Sequence, residues 1–568
     1  MNKDNSHPKL KAYFPAYTKV FNKHSYQKFL KNRPKCLQKL EIERYSSLES
    51  HKDYKAMGIH IKYLTQNTKS IQDLDFIKFP HQNIPIAVHK DMIKRFLGIK
   101  KLSQLCLQAS SKSLYINYLY LKRLKSLRSL SLDGSGRPIA KEAQNLQKIS
   151  SRFFRFLQAI KLEKLEYRLQ DIGVSSHNIV NFPRYPSSIR SWSLSCGDSL
   201  EAFQGNPNIH QLLSLNHLLN LKIFQILTPL SLDLLNHVLG SINNELKVLA
   251  FKLTENEMAI QDLLPKTRMI LARFQGLEDL AVNSESWIDV FPCCWRLKRL
   301  SLEVNTFHKE NLKNLKEFLA QHQTSLEGLD LKLRFEEQPA TFIEEMLDFL
   351  EEVAHLQKLQ SLRIAFTSKG NEIHSIPILP LLTQVINGLK DLKELGICYV
   401  GADFSRDFAE FYQVLQHKFD TLEILELGFF GCLVGKRHLE VLRETLLQLK
   451  SLHTLKLGSV TVYDPGFFEL FAETIHRCLR LRSLALSGYR FALRNYNPQD
   501  TVKMLGRIFQ KSNLVHLNFQ ESNSGSTNYK LCDKFRLNEI EEQHGHIQTR
   551  IIPPYTYHFE PLNRWKGV

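Results

Sequence analysis

The sequence predicts an α/β solenoid, a short strand and a helix repeated along the chain around one shared core. Three observations predict it. Leu452, Leu455 and Leu457 form L-x-x-L-x-L, and the same spacing returns twenty-nine residues later at Leu481, Leu484 and Leu486. Alternation over Thr454 to Gly458 sends Leu455 and Leu457 to one face of a strand and Thr454, Lys456 and Gly458 to the other. Between the two copies, Asp464 and Pro465 suit a helix entry, and Phe467, Phe468, Phe471 and Ile475 follow at helical spacing. One strand and one helix cannot bury these side chains alone, so copies must stack and share a core.

Taken in order, residues 1–36 are a basic lead-in whose Tyr17, Phe21, Phe29 and Leu30 fit one amphipathic helix covering the open end of the array. Residues 37–520 are the solenoid. Its first strand is CLQKLEIE, starting at Leu37. Later units start at Ile71, Leu102, Leu127, Leu162, Ile189, Leu218, Leu246, Leu277, Leu297, Leu326, Leu359, Leu392, Leu422, Leu452, Leu481 and Leu514, seventeen in all, 20 to 35 residues apart. Leu312, Leu315 and Leu319, then Phe342, Met346 and Phe349, then Leu439, Leu442 and Leu446 are helical stripes between strands. Units before Leu246 are irregular, with loop-like segments at 134–138 and 178–188. After Phe519 the pattern stops, and residues 521–568 read either as a C-terminal cap or as a disordered tail.

The stretch from Leu246 to Phe519 resembles the leucine-rich repeat superfamily, in its ribonuclease-inhibitor-like and cysteine-containing classes; RCLRLRSLALSG at Arg477 to Gly488 is the nearest match to the latter. The resemblance implies a horseshoe with a concave parallel sheet and convex helices. The chain departs from the family at the ninth position of the unit, where a polar Asn or Cys ladder is usual. Here that position holds Asn305 once and otherwise residues such as Thr367, Phe430, Val460 and Tyr489. The turn after the strand must be held in another way.

Composition narrows the class. The apolar fraction of 43% is ample for a core. The N-terminus lacks the apolar run of a secretory signal, and the richest apolar stretch is broken by Lys222, Pro229 and Asp233, so no transmembrane segment is expected. Nine cysteines without paired spacings fit a reducing compartment, so an intracellular, cytoplasmic or nuclear, protein is expected. Cys294 and Cys478 each precede a repeat leucine by three residues and read as packing. The net charge of +19 is concentrated: residues 1–130 hold 26 Lys and Arg against 8 Asp and Glu, leaving +1 for the remainder.

Nothing in the sequence assembles an active site, and no cofactor or metal is expected. GFFGCLVGKR has three residues between Gly431 and Gly435 where a phosphate loop needs four, and Arg437 follows Lys436 where Ser or Thr is required. His544 and His546 lack further nitrogen or sulfur ligands nearby, as Cys293 and Cys294 lack a spaced partner pair. The acidic run Glu336 to Glu352 flanks an apolar stripe and reads as a solvated helix face. Lys94, Arg95, Lys100, Lys101, Lys122, Arg123 and Lys125 interleave with aromatic and aliphatic residues. They suit solubility and capping, and also a nucleic acid, an acidic protein or an anionic membrane.

The function expected is a non-enzymatic intracellular scaffold that binds a partner protein on its concave sheet, whose seventeen strands would span an arc of about 80 Å. The seventh position of four successive units is small, Cys398, Gly428, Gly458 and Ser487, which suggests a furrow approached by another backbone; Glu426 and Lys456 flank it with opposite charges. The competing structural reading is that glycine eases the bend from strand into turn. Alternatives are the substrate receptor of a ubiquitin ligase, whose F-box has no counterpart in residues 1–36; a relative of the Ran GTPase-activating proteins, whose acidic tail has none in residues 521–568; and RNA or polyanion binding through the basic quarter.

Overall fold

The structure is a computed structural model. It describes residues 10–13, 39–43, 73–77, 103–108, 126–134, 161–169, 187–196, 213, 215–253, 257–283, 294, 296–304, 309–335, 343–368, 378–400, 408–430, 433–434, 436–458, 461–462, 467–491, 516–521 and 548–551.

The architecture is an α/β solenoid, divided into two compact units, Met1–Leu277 and Glu278–Val568. In the first, β1 (Leu10–Tyr13), β2 (Lys39–Glu43), β3 (Asp73–Ile77), β4 (Gln104–Gln108), β5 (Ser129–Gly134), β6 (Lys164–Leu169), β7 (Ser191–Cys196), β8 (Ile223–Leu230) and β9 (Val248–Leu253) pair in chain order, every pair parallel. Helix α1 (Leu232–Ser241) joins β8 to β9, and α2 (Glu257–Ala272) follows. Parallel neighbours cannot be joined by a tight hairpin, so each return needs a crossover.

The second unit alternates more regularly. Its elements are β10 (Asp279–Asn283), β11 (Arg299–Val304), α3 (Lys309–Gln321), β12 (Gly328–Phe335), α4 (Ile343–Ala354), β13 (Ser361–Ser368), α5 (Ile378–Gly388), β14 (Glu394–Val400), α6 (Phe408–Gln416), β15 (Ile424–Phe430), β16 (Leu433–Val434), α7 (Lys436–Gln448), β17 (Thr454–Gly458), β18 (Thr461–Val462), α8 (Phe467–Arg477), β19 (Ser483–Phe491), β20 (His516–Glu521) and β21 (Gln548–Ile551). The main sheet runs β10 to β15, then β17, β19, β20 and β21, all parallel. The two-residue strands β16 and β18 form a second parallel ladder with Arg490 and Phe491 of β19. This ladder lies just past the main strands. The ninth-position side chains themselves lie outside the described set.

With each unit counted from its first leucine, positions 1, 4 and 6 are core. Leu422, Leu425 and Leu427 are buried, as are their counterparts Leu452, Leu455 and Leu457, and Leu481, Leu484 and Leu486. The helical stripes are buried too: Leu312, Leu315 and Leu319 in α3, Met346 and Phe349 in α4, Leu439, Leu442 and Leu446 in α7, and Phe471 and Ile475 in α8. The core therefore lies between sheet and helices. The helix proposed over Tyr17 to Leu30 falls outside the described residues, as does Asp464–Pro465.

A backbone signature fixes the register. The carbonyl of position 2 accepts from the amides of positions 2 and 3 of the next unit: Glu423 O from His453 and Thr454 at 2.9 and 3.2 Å, and His453 O from Arg482 and Ser483 at 2.9 and 3.0 Å. In the first compact unit, Arg190 O accepts from Lys222 and Ile223. That makes Lys222 a second position and Leu221 the unit start, correcting the start expected at Leu218. Leu218 instead holds the place three residues earlier, where its carbonyl accepts from Leu221 N as Cys294 O does from Leu297 N and Cys478 O from Leu481 N. The error arose because position 4 is Phe224, stacked on Trp192 at 5.5 Å, so a leucine pattern fits three residues too early.

Further differences concern the ends. β1 pairs with β2 and β21 with β20, so the ladder extends before Leu37 and past Phe519. In β21, Thr549 stands opposite Leu517 where a leucine would be expected, and the sequence pattern is silent there.

Helix C-termini are closed by the following unit. Arg273 donates to Gly240 O in the last turn of α1 and to Ile242 O just past it. Lys418 donates to Leu389 O at 2.6 Å, just past α5, and reaches Asn387 O in its last turn at 3.5 Å. Cys478 Sγ donates to Leu446 O of α7 at 3.7 Å. Carbonyls that end a helix have no partner within it, so a donor from the neighbouring repeat both satisfies them and ties the stack together. Lys418 is buried, and loss of hydration lowers its pKa.

Candidate partner-binding face

Positions 3, 5 and 7 leave the sheet on the face opposite the leucines. In the second compact unit the pairing brings Cys398, Gly428, Gly458 and Ser487 into one transverse row, each opposite the next. The row begins one unit earlier than the sequence suggested, because Ala365 stands opposite Cys398. Five small residues thus cross five adjacent strands, about 19 Å at ordinary strand spacing.

Beside it runs the position-5 row: Arg363, Gly396, Glu426, Lys456 and Ala485. Glu426 and Lys456 are ion-paired at 2.9 Å, so the two charges expected to stand as separate poles engage each other. Glu426 also pairs with Arg363 at 3.1 Å, two strands away. That reach is possible because Gly396 lies between them. A Cβ on Gly396 would sit 2.8 Å from Arg363 Cγ, so the arginine stem lies over the glycine backbone. Only 7% of the Arg363 side chain is exposed, against 37% of Lys456.

The same lean recurs. A Cβ at Gly328 would meet Arg299 Cγ at 3.1 Å, and one at Gly428 would meet Cys398 Sγ at 3.2 Å. Side chains on this face tilt over the following strand, and glycine there makes room for the residue before it. This gives Gly428 a packing reason that neither the furrow nor the strand-end bend anticipated. Gly458 differs, since the residue opposite it on the preceding strand is Gly428, which has no side chain to lean. The more open part of the furrow is therefore at Gly458, which is half-buried.

Sequence reading missed Arg363, Ala365 and Gly396. Position 7 counted one unit back from Cys398 reaches Ala365, and position 5 counted one and two units back from Glu426 reaches Gly396 and Arg363. The seven cations from Lys94 to Lys125 lie outside the described residues. Among the described residues no group of three or more His, Cys, Asp or Glu is placed to hold a metal, and no helix is long and apolar enough to cross a membrane. No family signature matches the chain, and no curated protein is similar to it.

Proposed function

We propose that the chain is a leucine-rich repeat scaffold without enzymatic activity, which binds a partner protein on the leucine-free face of its second compact unit. The strand–helix periodicity and the in-register L-x-x-L-x-L positions support the class. The observation that carries the binding reading is the transverse row Ala365 to Ser487, small at five consecutive strands and bordered by the Arg363–Glu426–Lys456 charge triad. A partner backbone can approach a strand most closely where side chains are missing, and the adjoining triad offers polar contacts that fix its direction.

The test is Gly458→Trp, compared with the parent in affinity capture followed by identification of bound proteins. The variant should retain the parent's circular dichroism spectrum and lose the captured partners. A folded variant that captures the same partners removes the furrow from consideration.

A further inference from the structure

In the first compact unit, position 2 forms a continuous row through its backbone. Glu163 and Lys164 donate to Arg128 O at 2.8 and 3.0 Å, Arg190 and Ser191 to Glu163 O at 2.8 and 3.0 Å, Lys222 and Ile223 to Arg190 O at 2.8 and 3.0 Å, and Lys247 and Val248 to Lys222 O at 2.9 and 3.0 Å. By the same bonds Ser103 is a second position, and the ones that follow it are Arg128, Glu163, Arg190, Lys222 and Lys247, all five exposed. Lys161 adds a further exposed cation beside them. Glu163 is matched locally by Arg128 at 3.7 Å, and beyond it Arg190 and Lys222 stand on neighbouring strands, with Lys247 the next cation in the row. Arg190 and Lys222 have no ion pair among the described residues.

The fold does not require one sign here. In the second compact unit the same position reads Glu278, Lys298, Glu327, Gln360, Lys393, Glu423, His453 and Arg482, mixed in sign, with Lys298–Glu278 paired at 3.1 Å and His453–Glu423 at 3.3 Å. Like charges on adjacent strands repel, so a uniform row is unfavourable unless an anion lies across it. We infer that this row is a track for the phosphate backbone of a duplex nucleic acid. Five strands give it a length of about 19 Å. Ser126, Ser129, Ser188 and Ser191 border it, and Arg, Lys and Ser are among the side chains that contact phosphates without reading sequence. Two other occupants fit less well. No aromatic residue lies among these positions to stack the bases of a single strand. The row also lacks the central aromatic anchors of a protein interface; Leu219, in the turn before Lys222, is its one exposed large apolar neighbour among the described residues. The inference stands apart from the furrow reading, which concerns the other compact unit.

The test uses the full-length chain and fluorescent duplexes of about 20 base pairs, one DNA and one RNA, with anisotropy measured across a salt series. The parent should bind at least one duplex with steep salt dependence. Changing Arg190, Lys222 and Lys247 together to Ala should lower the slope of log affinity against log salt by about 2.7, at 0.9 per phosphate contact. The conservative set Arg190→Lys, Lys222→Arg and Lys247→Arg should keep the parent's slope, and so should Lys298→Ala with Lys393→Ala. No duplex binding by the parent, an unchanged slope in the triple Ala variant, or stronger binding of a single strand or of polyglutamate would each overturn the inference.

Discussion

Leu425 is fully buried at position 4 of its unit, and it pairs in register with Leu395 on one side and Leu455 on the other. Leu425→Ala removes most of a side chain from a site braced on both sides, so it should cost about 2–5 kcal/mol in urea unfolding. Asp279 makes the opposite case. Burial, only partly offset by Arg299 and Lys298, pushes its carboxyl from 3.8 up to about 6. Between those values the folded chain holds the proton that the unfolded chain has released, so stability falls as pH rises through the window and the full cost is present above about 6. Asp279→Asn should therefore stabilise the protein by about 3 kcal/mol near neutral pH and change little below the window. An equal gain at both pH values would show that the carboxylate is not the cause. At Cys478, burial pushes the thiol up to about 11 even with Arg477 nearby. Its alkylation at mildly basic pH should be about a hundredfold slower than that of an ordinary thiol, as read by peptide mass spectrometry.

At the scale of elements, the glycines under leaning side chains connect strand order to surface chemistry. Gly396→Ala would place a methyl against the Arg363 stem at 2.8 Å, so the arginine must move and its pair with Glu426 is lost. The expected cost is about 1–3 kcal/mol, and Arg363→Met in the same background should recover little of it if the backbone itself is displaced. Such contacts were invisible in the sequence because tilt between strands is a three-dimensional property, whereas alternation within one strand shows which residues share a face. That is why the sequence shows that Cys398, Gly428, Gly458 and Ser487 share a position in the unit but does not show the packing reason for Gly428. The strand set was legible wherever leucine fills positions 1, 4 and 6. It slipped by three residues at Leu218 because Phe224 takes position 4, and it was silent at Gln548–Ile551, where parallel pairing rests on backbone bonds.

At the scale of the whole chain, both compact units use one scaffold but present different surfaces: cations at position 2 in the first, small residues and a charge triad at positions 5 and 7 in the second. A repeat stack tolerates this division because each strand is bonded only to its immediate neighbours, so a surface position can change in one region without consequence for another. The same locality makes a prediction about cooperativity. When Leu425→Ala weakens β15, the direct losses fall on β14 and β17, which pair with it, and then on the next strands in turn. In hydrogen exchange, protection should drop most at the amides of β14, β15 and β17, less at β12, and least at β5 and β6, far along the chain in the first compact unit. The gradient should be monotonic in strand number, since stability in a stack is a sum of neighbour terms. A uniform loss of protection from β5 to β19 would mean that the array unfolds as one cooperative body, and the nearest-neighbour description would then have to be abandoned.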